Sequence, residues 1–184
     1  MALASCQRGP IVREAIDGDT IILSDGTRVR YIGVDTPEKD RPYYQEATDF
    51  NRSMVAGRKI RLEYDIEKTD AYGRHLAYVY LKDGTFVNAE LLKQGYAYVY
   101  TIPPNLKHTE QFVKFQRRAR EEKAGLWGVP VDPESSYVFS ARGRAFHRPS
   151  CEFAKKIGKR NRIQVADRGK AFDRGLAPCR KCRP

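Results

Sequence analysis

The tetrapeptide Ser24-Asp25-Gly26-Thr27 separates two β-patterned runs, Ile11–Leu23 before it and Val29–Val34 after it. An Asp-Gly pair in that setting is a hairpin signal, because its residues tolerate the positive φ that a tight reversal needs. The chain must therefore fold back on itself early. More β-like runs follow. In Lys59–Ile66 the residues Ile60, Leu62, Tyr64 and Ile66 share one face. Arg74–Leu81 runs into a second tight turn, Lys82–Thr85, and Tyr96–Tyr100 is short and aromatic.

Helical patterns interrupt these runs. Pro42–Gly57 carries an apolar stripe of Tyr44, Ala47, Phe50, Met54 and Val55. Val87–Gln94 ends at Gly95, and a basic helix, Leu106–Ala124, ends at Gly125. About five strands with interleaved helices argue for a small closed or partly closed barrel. Hydrophobic residues make up 41% of the 184, enough for a packed core, and no run of eighteen apolar residues exists.

Charge divides the chain. Residues 1–136 hold 20 Lys+Arg and 20 Asp+Glu; residues 137–184 hold 14 and 3, and so carry the whole net charge of +11. A basic segment of this kind is either a solvated surface or an electrostatic footprint for a polyanion such as nucleic acid. Val129–Ser136, with two prolines and two serines, reads as a linker. The expected organisation is an N-terminal segment 1–9, a barrel 10–128, a linker 129–136 and a basic module 137–184. The segment Leu3–Cys6, LASC, looks like the end of a lipoprotein signal, although no positively charged region or long apolar region precedes it. Lipidation of Cys6 would anchor the protein to a membrane face outside the cytoplasm; the alternative is a chance match.

Two acidic pieces carry the chemistry. AIDGDT brings Asp17 and Asp19, and VRYIGVDTPE brings Asp35, Thr36 and Glu38. Alone, each reads as turn or helix-start chemistry. The hairpin places their strands side by side, so the carboxylates crowd one end of the sheet. Hard oxygen donors in such a crowd suit Ca²⁺ or Mg²⁺, and a spare carboxylate beside the ion can orient or deprotonate water. Arg30, on the strand that leads to Asp35, and Arg74, after the turn Thr69–Gly73, offer guanidinium groups that match phosphate oxygens. Spacing alone leaves ion pairing at the barrel rim equally open for both.

The segments AIDGDTIIL, VRYIGVDTPE, KTDAYGRHLAYVY, VNAELLKQGYAYVY and AGLWG occur in the order in which the staphylococcal nuclease family carries them. From residue 10 to residue 128 the chain strongly resembles that family. The resemblance implies an α+β fold, a five-stranded OB-type barrel with about three helices. It implies Ca²⁺ on Asp19, Asp35 and the backbone carbonyl of Thr36, with Asp17 behind them. Glu38 would position or deprotonate the attacking water, and Arg30 and Arg74 would hold the phosphate. Tyr72, Tyr98 and Tyr100 would contact the nucleotide. The implied reaction is Ca²⁺-dependent cleavage of DNA or RNA, unpaired strands preferred, leaving a 3′-phosphate, by a monomer. The competing class is an inactive OB module that binds nucleic acid or protein. Three departures stand out: a shorter loop after Glu38, Ala71 where the secreted prototype has a phosphate-contacting lysine, and a shorter segment between Gly95 and Tyr98.

In the basic module, His147 and Cys151 lie four apart and Cys179 and Cys182 form C-x₂-C. These are four soft ligands for a tetrahedral Zn²⁺, with a disulfide as the alternative. So polar a segment has few ways to build a core, and a metal would supply stability. Its pattern F-H-R-P-x-C…G-L-x-P-C-x-x-C-x-P resembles small C-terminal modules of bacterial nucleases. More distantly it resembles the zinc-binding domain of methyl-phosphotriester repair proteins, which implies a reader of the phosphate backbone. Arg142, Arg144, Arg148, Lys155, Lys156, Lys159, Arg160 and Arg162 would supply its charge.

Overall fold

The computed structural model describes residues 9–131 and 133–184. Cys6 lies outside them. The N-terminal part is built on a five-stranded sheet ordered β1 (Val12–Ala15), β2 (Thr20–Leu23), β3 (Arg28–Tyr31), β6 (His75–Leu81) and β5 (Ile60–Glu63). Neighbours are antiparallel except β3 and β6, which are parallel. The edge strands meet at the bridge Ile11–Lys59 and through a few flanking backbone hydrogen bonds, so the OB-like sheet curls toward a barrel without a continuous closing ladder among the described residues.

The alternation in the sequence explains the core. Val12, Ile21, Val29, Tyr31, Ala77 and Val79 turn to one face and are buried there. Helices α1 (Tyr44–Val55), α2 (Val87–Lys93) and α3 (Thr109–Glu121) cover it. Each is shorter than its sequence pattern, through loss of end residues. Ala47 and Val55 of α1 are fully buried, while Phe50 and Met54 pack against the core from its margin. Among the described residues no helix is long and apolar enough to cross a membrane.

One departure from the expected strands positions the site. Val29–Val34 reads as a single strand, but the chain breaks it at Ile32. Residues Gly33–Asp35 form a separate strand, β4, which leaves β6 and pairs with β7 (Tyr98–Tyr100) instead. The bend depends on Gly33, whose φ is 80° and where a Cβ would lie 2.6 Å from Cε2 of Phe112. The carbonyls exposed by the bend are satisfied locally. Buried Asn88 donates to the Ile32 oxygen (2.9 Å) and accepts from the Val79 N–H (2.9 Å). Arg30 Nη1 donates to the carbonyls of Tyr31 (3.0 Å) and Val34 (2.9 Å).

The C-terminal part has its own four-stranded sheet, ordered β10 (Arg162–Val165), β8 (Tyr137–Ser140), β9 (Ala145–His147) and β11 (Ala177–Pro178). Two short helices, α4 (Glu152–Lys155) and α5 (Arg168–Phe172), complete it. Despite its polarity it builds a small core from Tyr137, Phe139, Phe146, Phe172 and Leu176. That core does not close on itself. Phe172 stacks on Tyr98 at 5.9 Å and meets Trp127 edge-on at 4.8 Å, so two rings of the first unit finish the second. Buried Gln116 of α3 joins both, accepting from the Val99 N–H (2.8 Å) and donating to the Phe172 carbonyl (3.3 Å).

Replacing Gly33 by Ala should lower the free energy of unfolding by about 2–4 kcal/mol, through backbone strain and overpacking against Phe112. Urea unfolding followed by tryptophan fluorescence measures this, and an unchanged midpoint would contradict the role given to the bend.

Candidate active site

The two acidic pieces meet at one end of the sheet. Asp19 Oδ2 accepts from both the N–H (2.8 Å) and the hydroxyl (3.0 Å) of Thr36. This approach needs Gly18, where a Cβ would lie 2.7 Å from the Thr36 side chain. Asn51 of α1 holds the loop from behind, donating to the Asp17 carbonyl (2.9 Å) and accepting from the buried Tyr31 hydroxyl (2.9 Å). Asp17 in turn accepts from the Asp19 N–H at 3.0 Å.

Arg30 bridges the crowd. Its Nη1 lies 3.1 Å from Asp19 Oδ2 and its Nη2 lies 3.2 Å from Asp35 Oδ1, with all three side chains largely buried. One guanidinium does not neutralise the end. Burial, followed by the charge of Asp19, pushes the Asp17 carboxyl up to about 6 against the pull of Arg30. Burial also raises Asp35 above its ordinary range, although Arg30 opposes it. Excess buried negative charge on hard oxygens favours a divalent cation. Asp19 and Asp35 fit as carboxylate donors. A shell of about six to eight oxygens would be completed by backbone carbonyls and water. Among the described residues, only the His/Cys group of the second module gathers three or more candidate ligand side chains.

Asp17, Asp19, Arg30, Thr36, Glu38 and Arg74 line one open cleft of about 760 Å³. Asp35 sits just beneath, in contact through Arg30. Arg74 is aimed by Asp70. Asp70 Oδ2 accepts from Arg74 Nε at 2.7 Å, and Asp70 Oδ1 accepts from the backbone N–H groups of Tyr72 (2.9 Å) and Arg74 (3.0 Å). Sequence reasoning passed over Asp70; its signal was a carboxylate four residues before the arginine at a tight turn. It also passed over Arg180, from the far end of the chain, which pairs with both Asp35 and Glu38. Arg144, expected only as part of a diffuse basic surface, lines the same cleft.

The three tyrosines separate. Tyr72 is 85% exposed beside the cleft, and Tyr100 lines it. Tyr98 does not reach it: its ring is packed between Phe172 and Trp127, so its face is covered by protein rather than offered to a nucleotide.

His147, Cys151, Cys179 and Cys182 come together, with candidate ligand atoms all within 4.8 Å of one another. Cys151 Sγ lies 3.7 Å from His147 Nδ1, and the three cysteines are unpaired. For comparison, two thiolates at ~2.3 Å from a tetrahedral zinc stand ~3.8 Å apart. Burial lowers the His147 pKa and so favours the neutral, ligating imidazole. Burial pushes the Cys182 thiol up to about 12, and it raises Cys151 too. At Cys151 the N–H groups of Phe153 and Ala154, together with hydrogen bonds from the Cys182 and Cys179 thiols, outweigh burial, and the net shift is downward. Three sulfurs and a neutral imidazole at this spacing suit zinc, whose binding would deprotonate the thiols.

The family model described as Staphylococcal nuclease homologue matches residues 28–129. The chain belongs to this family. The thermonuclease of Staphylococcus intermedius is 42% identical over 126 residues, covering 64% of this chain and 74% of that protein. That of Staphylococcus hyicus is 42% identical over 125 residues, 63% of this chain and 73% of that protein. Endonuclease YncB of Bacillus subtilis (strain 168) is 42% identical over 135 residues, 67% of this chain and 61% of that protein.

Replacing Asp70 by Ala frees Arg74 and should lower nuclease activity by about 10–100-fold, since small misplacements at a reacting centre are that costly. The far-ultraviolet circular dichroism should stay as in the parent protein. Parental activity in the variant would show that Asp70 does not aim Arg74.

Proposed function

We propose that the protein is a calcium-dependent nuclease that hydrolyses phosphodiester bonds of DNA and RNA, prefers unpaired strands and leaves 3′-phosphate ends. Family membership supports nucleic-acid hydrolysis. The observation that carries the finer reading is that Asp19, Glu38, Arg30 and Arg74 line one cleft, with Asp35 paired to Arg30 just beneath it. Asp19, Asp35 and the Thr36 carbonyl would hold calcium, which when bound supplies Lewis-acid polarisation of the phosphate.

The chain's own residues carry the steps. Glu38, its side chain 57% exposed, is open to solvent and takes a proton from the attacking water. Oxygen of that water bonds to phosphorus while the bond from phosphorus to the 5′-oxygen breaks. The 5′-oxygen leaves as an alcohol after taking up a proton from solvent water, and the phosphate stays on the 3′ side. Arg30 and Arg74 face the phosphate oxygens, whose negative charge grows during attack. Arg30 is preorganised: its other contacts are two carbonyls and two carboxylates, so it needs no reordering. The exposed ring of Tyr72 and the cleft wall at Tyr100 suit stacking against unpaired bases.

The C-terminal module is read as a nucleic-acid-binding unit stapled by one zinc on His147, Cys151, Cys179 and Cys182, supported by the ligand cluster and the local excess of positive charge. An extracytoplasmic place of action, with or without a lipid on Cys6, completes the proposal; its support is the LASC segment alone.

Replacing Glu38 by Gln, or Arg74 by Gly, should leave the fold intact and cut turnover by about 10²–10³-fold. An undiminished rate in either would refute the assignment. Elemental analysis of the purified protein should find about one zinc per chain, and its absence would reject the His/Cys site.

A further inference from the structure

Arg180 occupies the second position of C-R-K-C, between two of the four clustered ligands. Its side chain leaves the module and crosses to the acidic end of the barrel. There Nη2 lies 2.5 Å from Asp35 Oδ1, and Nη1 pairs with Glu38. Arg144, just before β9, lines the same cleft. The second module thus contributes to the cleft lining, and Arg180 sits beside Arg30, the two sharing Asp35 Oδ1.

The placement is mechanically defined. Phe172 wedged against Tyr98 and Trp127 fixes one side of the module. Arg120, paired with Asp173 (3.1 Å) and donating to the Gly169 carbonyl (3.2 Å), fixes it again. The loop bearing Arg180 is held by the Cys179 N–H to the Phe146 carbonyl (2.9 Å) and by the Arg148 N–H to Cys182 Sγ (3.3 Å). Ligation of Cys179 and Cys182 by one ion would fix both ends of the segment that carries the guanidinium.

We propose that Arg180 is a third phosphate-binding guanidinium of the nuclease cleft, contributed by the C-terminal module and held in place by its Cys/His site. This rests on the nuclease reading given above. Asp35 Oδ1 is already shared with Arg30 (3.2 Å), so Arg180 makes a surplus contact there. Its pair with Glu38 is more than half exposed on both sides, and an ion pair of that kind is too weak to keep a divalent cation or a polyanion out. A lock on the active site is therefore the poorer reading. With the carboxylates engaged by a cation, the anion within reach of this guanidinium is a substrate phosphate.

The test uses the full chain in a Glu38→Gln background, with calcium present, where cleavage is slowed enough for binding to be read before the substrate is cut. Fluorescence anisotropy with a labelled single-stranded oligodeoxynucleotide should show about tenfold weaker binding on adding Arg180→Ala. The slope of log affinity against log salt should fall by about 0.7, one phosphate contact on a single strand. With Glu38 restored, Arg180→Ala should raise KM while kcat stays within about threefold. Cys182→Ser should weaken binding similarly and add nothing on top of Arg180→Ala. Should Cys182→Ser fail to fold, the Arg180→Ala measurements stand alone. Unchanged affinity and slope would overturn the proposal. So would faster cleavage by Arg180→Ala at limiting calcium, which is the mark of a lock. An inactive parent protein would instead overturn the nuclease reading and leave the binding measurement to judge Arg180.

Discussion

Arg30 holds the acidic end of the barrel together. It closes the contact between Asp19, in the loop before β2, and Asp35 in β4, and it also caps the two carbonyls exposed where the strand bends. Burying a charge is tolerable only when it is paired and hydrogen-bonded, and breaking such a pair from one side leaves an uncompensated charge. Here the pairing is incomplete by design of composition: more carboxylate than guanidinium lies at this end, and burial holds Asp17 and Asp35 above their ordinary range. The same arrangement that strains the folded state makes the site receptive to a divalent cation. Stability and chemistry draw on one set of residues.

The rest of the molecule serves that end. The Gly33 bend carries the chain from β3 to β4 and sets Asp35 beside Asp19. Asn51 and Asn88, both fully buried, tie loop and bend to α1 and to β6. The second module, docked through Phe172 and Gln116, brings its positive charge to the same place. Residues 1–136, with a net charge of zero, gain cationic groups at the cleft from a neighbour rather than from their own surface.

Much of this was legible in the residues. Alternation gave β5, the β-like run Ile11–Leu23 holds both β1 and β2, and Asp25-Gly26 gave the hairpin that pairs the acidic pieces. The first helix was placed by its apolar stripe and the other two by the glycines that end them, with only the ends too long. The Gly33 bend was not legible, because the alternating pattern runs on through a change of partner strand. What requires the glycine is Phe112, about eighty residues away in sequence. Tyr98 was expected at the nucleotide from the resemblance, and nothing in the sequence told what covers its ring. The covering ring is Phe172. In the tail, elements of two to five residues are too short for periodicity, so its core was invisible although Tyr137, Phe139, Phe146 and Phe172 were in view. Arg180 could be counted as charge, but its direction comes from docking.

The central claim is that the cleft works only when a hard divalent cation relieves its buried carboxylates in front of the arginines. The most direct measurement is cleavage of single-stranded DNA by the purified protein with calcium, with a calcium chelator, and with calcium restored in excess. The account predicts cleavage, its loss and its return. Equal cleavage with and without the chelator would contradict it.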